Sequence, residues 1–494
     1  VTARGLLGTD EIIDLVRAVP ERSGFPTVDD LVARFDRLAA EHPAAAGGVV
    51  VTRIGTSRLG EPIHSYAVGR GGNQAVIVGG VHPNEPIGSW TALHLAETML
   101  TDPALAERLD TTWHIVPTID PDGMRLNEAW FDDPTDRAFY SRHFYRPAPD
   151  SQVEWTFPTN HRDVYFDAVL PETLALMRLI DDVRPGLLVS LHNGEMGGVY
   201  YYLSEDLPDV IATLHAVPAA LGLPLDTGEP ESPHLVAMAP AVFRMDGVET
   251  VYDYLASLGV DPREHINGSS SASWALRHGA LCLVAELPYW QHADADDQTP
   301  TDESYADLVR RTAGDMAVTG AFLVEVLTEA EPHLTIETPF LEGSRAFVPM
   351  LGRGAETDLI RADREPADRM ATVAERFGLE DLVRCFRLRY GGMLLRAIEA
   401  ETGAGTASAP LRRVGERLRA TYAAWQATAD IGADPIPVAA LVGVQYGAVL
   451  AAAAHVAESG SGRQRDQQPV GRRGAAPTRA SSPSPVAPVG AGRV

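Results

Sequence analysis

The chain has 494 residues, 45% hydrophobic and 22% charged, a globular composition long enough for one large domain plus a smaller one. Lysine is absent and all 41 basic residues are arginine, which excludes a Schiff-base lysine, a pyridoxal-phosphate anchor and a phosphate-binding P-loop. Two cysteines, Cys282 and Cys385, exclude a disulfide framework, and a formal charge of -26 disfavours nucleic acid and anionic membranes as partners.

Residues 1–45 read as a helical N-terminal segment, with apolar positions at helical spacing over 11–19 and 28–40. Charges recur throughout residues 1–41 and no apolar signal-type core interrupts them, so the expected location is cytoplasmic. From 46 to 332 strand and helix patterns alternate, the span expected to form the catalytic domain. Strands are predicted over 48–54, 63–68, 75–80, 112–119, 187–191, 199–203 and 281–287, and helices over 86–100, 171–183, 208–221, 248–258 and 302–327. This alternation predicts an α/β fold: a mixed, mainly parallel twisted sheet flanked by helices on both faces. Residues 333–459 read as a small all-helical domain, with helices over 367–377, 379–401, 411–429 and 437–458. The stretch 436–454 has no charged residue, yet Pro437, Gln445 and many alanines mark a buried helix rather than a membrane span. Residues 460–494 are rich in Pro, Ser and Gly, carry six arginines against one aspartate, and are expected to be a disordered tail.

Three strand ends carry the candidate chemistry. Residues 75–86 read AVIVGGVHPNEP: a buried strand ends in two glycines, then presents His82 and Glu85 just before Pro86 opens a helix. An imidazole and a carboxylate three residues apart on a tight turn can converge on one cation, and both suit zinc. His-x-x-Glu alone is a common pattern, so it needs a distant third ligand. His192, at the end of the apolar run 187–191, can supply it, or can be an ordinary core histidine. Three protein ligands would leave a fourth position for water, the catalytic rather than the structural arrangement. Glu286 is the only charge in the apolar run 281–287, where an unpaired carboxylate is costly, and an acid/base task would account for it. Cys282, four residues earlier, reads as a packing residue.

The order HxxE, then a strand ending in His, then a strand ending in Glu resembles the zinc metallocarboxypeptidases related to carboxypeptidases A and B. Asp120-Pro121-Asp122-Gly123 is similar to that family's Asn-Pro-Asp-Gly turn, and Ala272 to Gly279 to the helix before its catalytic glutamate strand. The resemblance covers roughly residues 45–330. It implies one Zn2+ per chain held by His82, Glu85 and His192, with Glu286 as general base and then general acid. It further implies arginines that stabilise the oxyanion and clamp a substrate carboxylate. Arg125, Arg142, Arg146 and Arg162 are the candidates by position, with Arg125 and Arg146 foremost.

The chain departs from the family in three places. The usual Asn-Arg pair has no clean match: Asn160-His161-Arg162 is nearest in residue type, Phe144-Tyr145-Arg146 nearest in spacing. No tyrosine lies between Leu258 and Trp274, where the family's substrate-closing tyrosine is expected, and the polar ring there is His265. The helical region after residue 332 has no counterpart in the simplest members. Gly197 to Tyr202 can line the cleft with aromatics, although strand alternation turns at least one of these tyrosines toward the core. The expected activity is a zinc-dependent metallocarboxypeptidase acting on a peptide or small amide with a free carboxylate. The alternatives are a deacylase or amidohydrolase acting on an N-acyl amino acid, and a non-catalytic binding protein on the same fold.

Overall fold

The structure is a computed structural model describing residues 7–429 and 431–466. A nine-stranded mixed sheet forms its centre. The strands are β1 (Val50–Thr56), β2 (Pro62–Val68), β3 (Asn73–Val78), β4 (Thr111–Val116), β5 (Leu187–Leu191), β6 (Tyr200–Leu203), β7 (Ala237–Ala239), β8 (Val242–Arg244) and β9 (Leu281–Glu286). They lie in the order β1-β2-β4-β3-β5-β9-β6-β8-β7. The four middle strands, β4, β3, β5 and β9, are mutually parallel. Antiparallel pairings flank them: β1 with β2, β2 with β4, β9 with β6 and β7 with β8. The sheet is therefore mixed, with four parallel strands at its centre and a further parallel pair, β6 with β8, toward one edge.

The middle strands are apolar at nearly every position because both of their faces are covered. Ala75, Ile77, Leu187, Val189, Leu281 and Leu283 face one core, whereas Val76, Val78, Leu188 and Cys282 face the other. The first core holds Leu93, Val210, Leu214 and Val444, from the helices Ile87–Thr101, Pro208–Ala220 and Val438–Asp466. The second holds Leu176 and Ile180 of Pro171–Val183, and Ala272 and Ala275 of Ser271–Leu276. At the N-terminus, Thr9–Arg17 buries Ile12 and Val16. Val28–Glu41, capped by the Thr27 hydroxyl accepting from the Asp30 N–H, lays Phe35 on Tyr66 of β2, ring centroids 4.7 Å apart.

Four helices, Tyr305–Ala330, Pro339–Ala362, Val373–Gly403 and Ala409–Gln426, pack on one another beyond residue 304. Pro339–Ala362 was not anticipated: Pro349, Gly343, Gly352 and Gly354 interrupt its pattern, and packing on its neighbours sustains it. The helices expected over 367–377 and 379–401 are a single helix, Val373–Gly403, which opens with a capping box between Thr372 and Glu375. One glycine inside a helix costs about 1 kcal/mol, too little to break it at Gly378 when so many of its side chains are buried. The last helix leaves this layer and returns to the sheet. Its segment Val438–Ser459 is, among the described residues, the one helix long and apolar enough to cross a membrane, and 89% of its most apolar stretch is buried. Gly443 and Gly447, one turn apart, let Val16 pack directly on its backbone; a Cβ at either would lie 2.9 Å from that side chain. The helix continues to Asp466, into the segment expected to be a disordered tail, whose remainder, 467–494, lies outside the described residues.

A buried ionic network ties the helical layer to the sheet. Arg137 donates from Nε to Glu195 Oε1 (2.9 Å) and from Nη1 and Nη2 to the two oxygens of Asp381 (3.0 and 2.9 Å). Arg389 Nε reaches Glu195 Oε2 at 2.6 Å, and the Cys385 thiol donates to the same oxygen at 3.2 Å. Arg137, Glu195 and Asp381 are all less than 9% exposed. Removing one partner from such a network leaves charges buried and unpaired. Arg137→Ala is therefore expected to cost about 3–5 kcal/mol, read as a lowered urea midpoint. A loss below about 1 kcal/mol would mean that the network behaves like a solvated surface pair.

Candidate active site

Because β3, β4, β5 and β9 run in parallel, their carboxyl ends open on one edge of the sheet, where α/β folds build their sites. After β3 the chain turns at Gly79 and Gly80. A Cβ on Gly79 would lie 2.6 Å from the Pro117 carbonyl oxygen, and Gly80 adopts φ +66° against Thr118, so both positions demand glycine. The turn delivers His82 and Glu85 immediately before the helix Ile87–Thr101. His192 follows β5, and Glu286 is the last residue of β9.

Asn193 holds these three ends together. Its N–H donates to Glu85 Oε2 (3.3 Å), its Oδ1 accepts from the Ile87 N–H (3.3 Å), and its Nδ2 donates to the Leu287 carbonyl (3.4 Å). Tyr289 adds a second tie: its hydroxyl donates to the Asn84 carbonyl at 2.8 Å while its N–H donates to the Glu195 carbonyl at 2.9 Å.

His82 Nδ1 lies 3.1 Å from each Glu85 oxygen, and His192 Nδ1 lies 3.1 Å from Glu85 Oε2. The two imidazole centroids are 4.8 Å apart, and the ligand atoms of all three residues fall within 4.8 Å of one another. His192 Nδ1 is buried without a hydrogen-bond partner. Its other nitrogen, Nε2, is 2.9 Å from the Ser190 hydroxyl, the kind of contact that fixes the orientation of a metal-binding imidazole. Two imidazole nitrogens and one carboxylate form a zinc-type donor set that leaves a coordination position open. The residues present fit zinc.

The electrostatics are those of a buried cluster. Burial, helped by the charge of Arg146, pushes His82 down to about 3. Burial also opposes charge on Glu85, but His82 and His192 outweigh it and hold that carboxyl well below its usual range. On His192 burial is overcome by Glu85, Glu286 and Glu154, which carry the imidazole up to about 9. Glu286, with Oε1 3.7 Å from His192 Nδ1, is driven well above the usual carboxylate range by burial, against the pull of His192.

Of the residues expected to meet substrate, Arg146 reaches the cluster: its Nη1 is 3.4 Å from Glu85 Oε1 and its Nε donates to Gln152 Oε1 at 3.0 Å. Arg125 is committed elsewhere, to Asp29 (2.7 Å) and Glu61 (3.2 Å). Arg142 pairs with Glu399, and Arg162 with Asp253. His265 takes no part in the cluster's hydrogen bonds or ion pairs, and its charged neighbours are Arg353, Glu264 and Asp261. Tyr201 is buried in the core, while Tyr200 and Tyr202 turn the other way and pack together with Phe243. Cys282 is fully buried, its thiol raised to about 12 by burial, which suits packing and not nucleophilic attack. Asp120 caps its turn by accepting from the Gly123 N–H at 2.9 Å.

Sequence reasoning did not single out Ser190, Glu154, Trp155 or Gln445 as neighbours of the cluster. Ser190 was findable, since it precedes His192 by two positions and strand alternation puts both on one face. Gln445 donates to the His192 carbonyl at 3.0 Å from the last helix, a contact 253 residues away in sequence that no local pattern announces.

The donor set defines a candidate zinc centre at the carboxyl edge of the sheet. Residues 31–218 match the family model for zinc carboxypeptidases. The match ends before β9, so Glu286 joins the site through geometry. No curated protein matches the chain. Among solved structures, the metallo-carboxypeptidase from Burkholderia cenocepacia is 18% identical over 53% of this chain and 60% of its own, with a TM-score of 0.32. Carboxypeptidase A from Helicoverpa armigera is 13% identical over 72% and 80%, TM-score 0.35. Murein-tripeptide amidase MpaA from Escherichia coli O157 is 20% identical over 48% and 82%, TM-score 0.25. The chain thus spans less than two thirds of the Burkholderia cenocepacia protein.

Zinc at a thousandfold its dissociation constant is expected to stabilise the protein by about 4 kcal/mol, seen as a rise in Tm. Glu85→Ala and His192→Ala should each abolish that rise. A rise that survives both substitutions would place the metal elsewhere.

Proposed function

We propose that the protein is a zinc-dependent carboxypeptidase that hydrolyses the terminal amide bond of a peptide or peptide-like substrate with a free carboxylate. The observation that carries this reading is Glu286, buried at the carboxyl edge of the sheet 3.7 Å from His192, beside the convergent His82, Glu85 and His192. In this reading those three residues hold the metal. Zinc there supplies a water of lowered pKa and polarises the scissile carbonyl.

Glu286 takes the proton of the attacking water and delivers it to the departing amine nitrogen. Its burial raises the carboxyl above the usual carboxylate range, which favours taking up the proton that it then hands on. Arg146, fixed by Gln152 and close to Glu85, is the cation positioned to stabilise charge developing on the carbonyl oxygen or to hold the substrate carboxylate. Arg125, already occupied by Asp29 and Glu61, is not available for either role without losing those pairs.

Glu286→Gln is expected to lower kcat on the order of a hundred- to ten-thousandfold while the purified protein keeps its zinc. C-terminal trimming of a mixed peptide library, followed by mass spectrometry beside a metal assay, measures both. Undiminished trimming would remove Glu286 from the mechanism. Zinc binding without trimming, together with hydrolysis of N-acyl amino acids, would replace the carboxypeptidase with a deacylase.

A further inference from the structure

A cleft of about 460 Å3 lies where the helical layer meets the chain after β6. It is lined by residues of that chain, by the helix Val248–Leu258, and by the segment between the helices Pro339–Ala362 and Val373–Gly403. Its lining shares no residue with the metal cluster. Three arginines from one short stretch, Arg361, Arg364 and Arg369, meet there, in a chain that carries 67 acidic residues against 41 arginines.

Two of the three carboxylates in the cleft are already satisfied from within the chain. Glu229 accepts from Arg361 Nη1 on Oε1 (2.9 Å) and from the Tyr305 hydroxyl on Oε2 (2.5 Å). Glu375 accepts from Arg369 Nη2 on one oxygen and from the Thr372 N–H on the other (2.9 Å). Two donors are left over: Arg369 Nη1 and the Tyr254 hydroxyl are both buried without a hydrogen-bond partner. Both groups are held in place by their rings. The Arg369 guanidinium lies 3.6 Å from the centre of the Tyr305 ring, and the Tyr254 ring packs on His234 with centroids 5.2 Å apart. Arg364 pairs with no carboxylate among the described residues; its Nη1 donates to the Ser257 carbonyl at 2.7 Å. The charges of Arg361 and Arg364 both act on Tyr254. A buried donor without an acceptor is costly, and the cleft that these residues line is the place from which an acceptor reaches them.

We propose that this cleft is a second binding site, which takes an anionic oxygen group, a phosphate or a carboxylate, against Arg369, Arg364 and Tyr254. Guanidinium N–H groups offer such oxygens charge-assisted hydrogen bonds, and the phenol adds a neutral donor beside them. Glu365, the one lining carboxylate without an ion pair among the described residues, opposes the ligand by like charge. A bound anion joins the chain after β6 to the helix Val248–Leu258 and to the helical layer, so occupancy stabilises the fold.

The test titrates inorganic phosphate and, separately, succinate into the zinc-loaded protein by calorimetry, with Tm recorded beside it. Saturable binding of either anion, with a rise in Tm, is expected, and the tighter of the two tells phosphate from carboxylate. Tyr254→Phe keeps the ring on His234 and removes only the hydroxyl; it should weaken binding on the order of tenfold, and Arg369→Gln by at least as much. Glu365→Gln should change affinity in the opposite direction, because it removes a repelling charge, and a general loss of structure would not produce that gain. The Tm of each variant without anion reports folding, and should Arg369→Gln unfold, Tyr254→Phe and Glu365→Gln still decide. Binding should also persist after zinc is removed by chelation. Absence of saturable binding, affinity unchanged in Tyr254→Phe, weaker binding in Glu365→Gln, or binding that disappears with the zinc each overturns the second site. Because binding is read directly, none of these outcomes depends on what the metal site hydrolyses.

Discussion

The site depends on keeping one carboxylate charged where water scarcely reaches it. Glu85 is 3% exposed, and an isolated carboxylate at that depth would take up a proton rather than stay ionised. What prevents this is gathered from three separate chain segments: the His82 and His192 imidazoles, the Arg146 guanidinium and the Asn193 N–H all lie within 3.4 Å of its oxygens. Each of those groups is delivered by a loop at the carboxyl edge of the parallel strands or by the segment that crosses it. The strand order is therefore a precondition of the electrostatics. Were β5 not hydrogen-bonded directly beside β3, His192 would not meet Glu85.

The region after residue 304 is joined to this site through buried polar contacts. Glu195, three residues past His192, is gripped by Arg137 and by Arg389 of Val373–Gly403. These partners hold its carboxyl at about 2 despite full burial. Its carbonyl accepts from Tyr289 and Trp290, just beyond Glu286. From the opposite side, Gln445 of the last helix holds the His192 carbonyl. The segments carrying His192 and Glu286 are thus fixed to each other and to two C-terminal helices. A boundary drawn at residue 332 separates sequence patterns but cuts through this set of contacts.

The strands were readable because burial on both faces forces continuous apolar runs, and all seven predicted strands lie in the sheet. The candidate metal site was readable for a related reason: His82 and His192 each follow such a run, where a polar residue needs a purpose, and Glu286 ends a third. The short strands β7 and β8 carry no such run and escaped notice. So did Pro339–Ala362, whose proline and glycines mimic a loop. Arg125 looked suitable by position, but its acidic partners lie at Asp29 and Glu61, far away in sequence. Arg146 is distinguished from Arg142 only by which carboxylate each meets, Glu85 or Glu399. Pairings of that kind are tertiary facts.

Three carboxylates, Glu85, Glu286 and Glu154, act on His192, and their surroundings differ. Glu85 is flanked by both imidazoles and is stabilised as the anion, the state a metal ligand must have. Glu286 and Glu154 also feel the charge of His192, but for both of them burial outweighs it and raises the carboxyl. Glu154 has one oxygen anchored by Ser271, which removes its freedom to swing toward a reacting atom. Glu286 forms no hydrogen bond to another side chain among the described residues, and its closest charged neighbour is His192. In the mechanism proposed above, the carboxylate that accepts a proton and then surrenders it needs that freedom. Environments that push neighbouring titratable groups apart are how a single site can give ligand and acid/base roles to the same functional group.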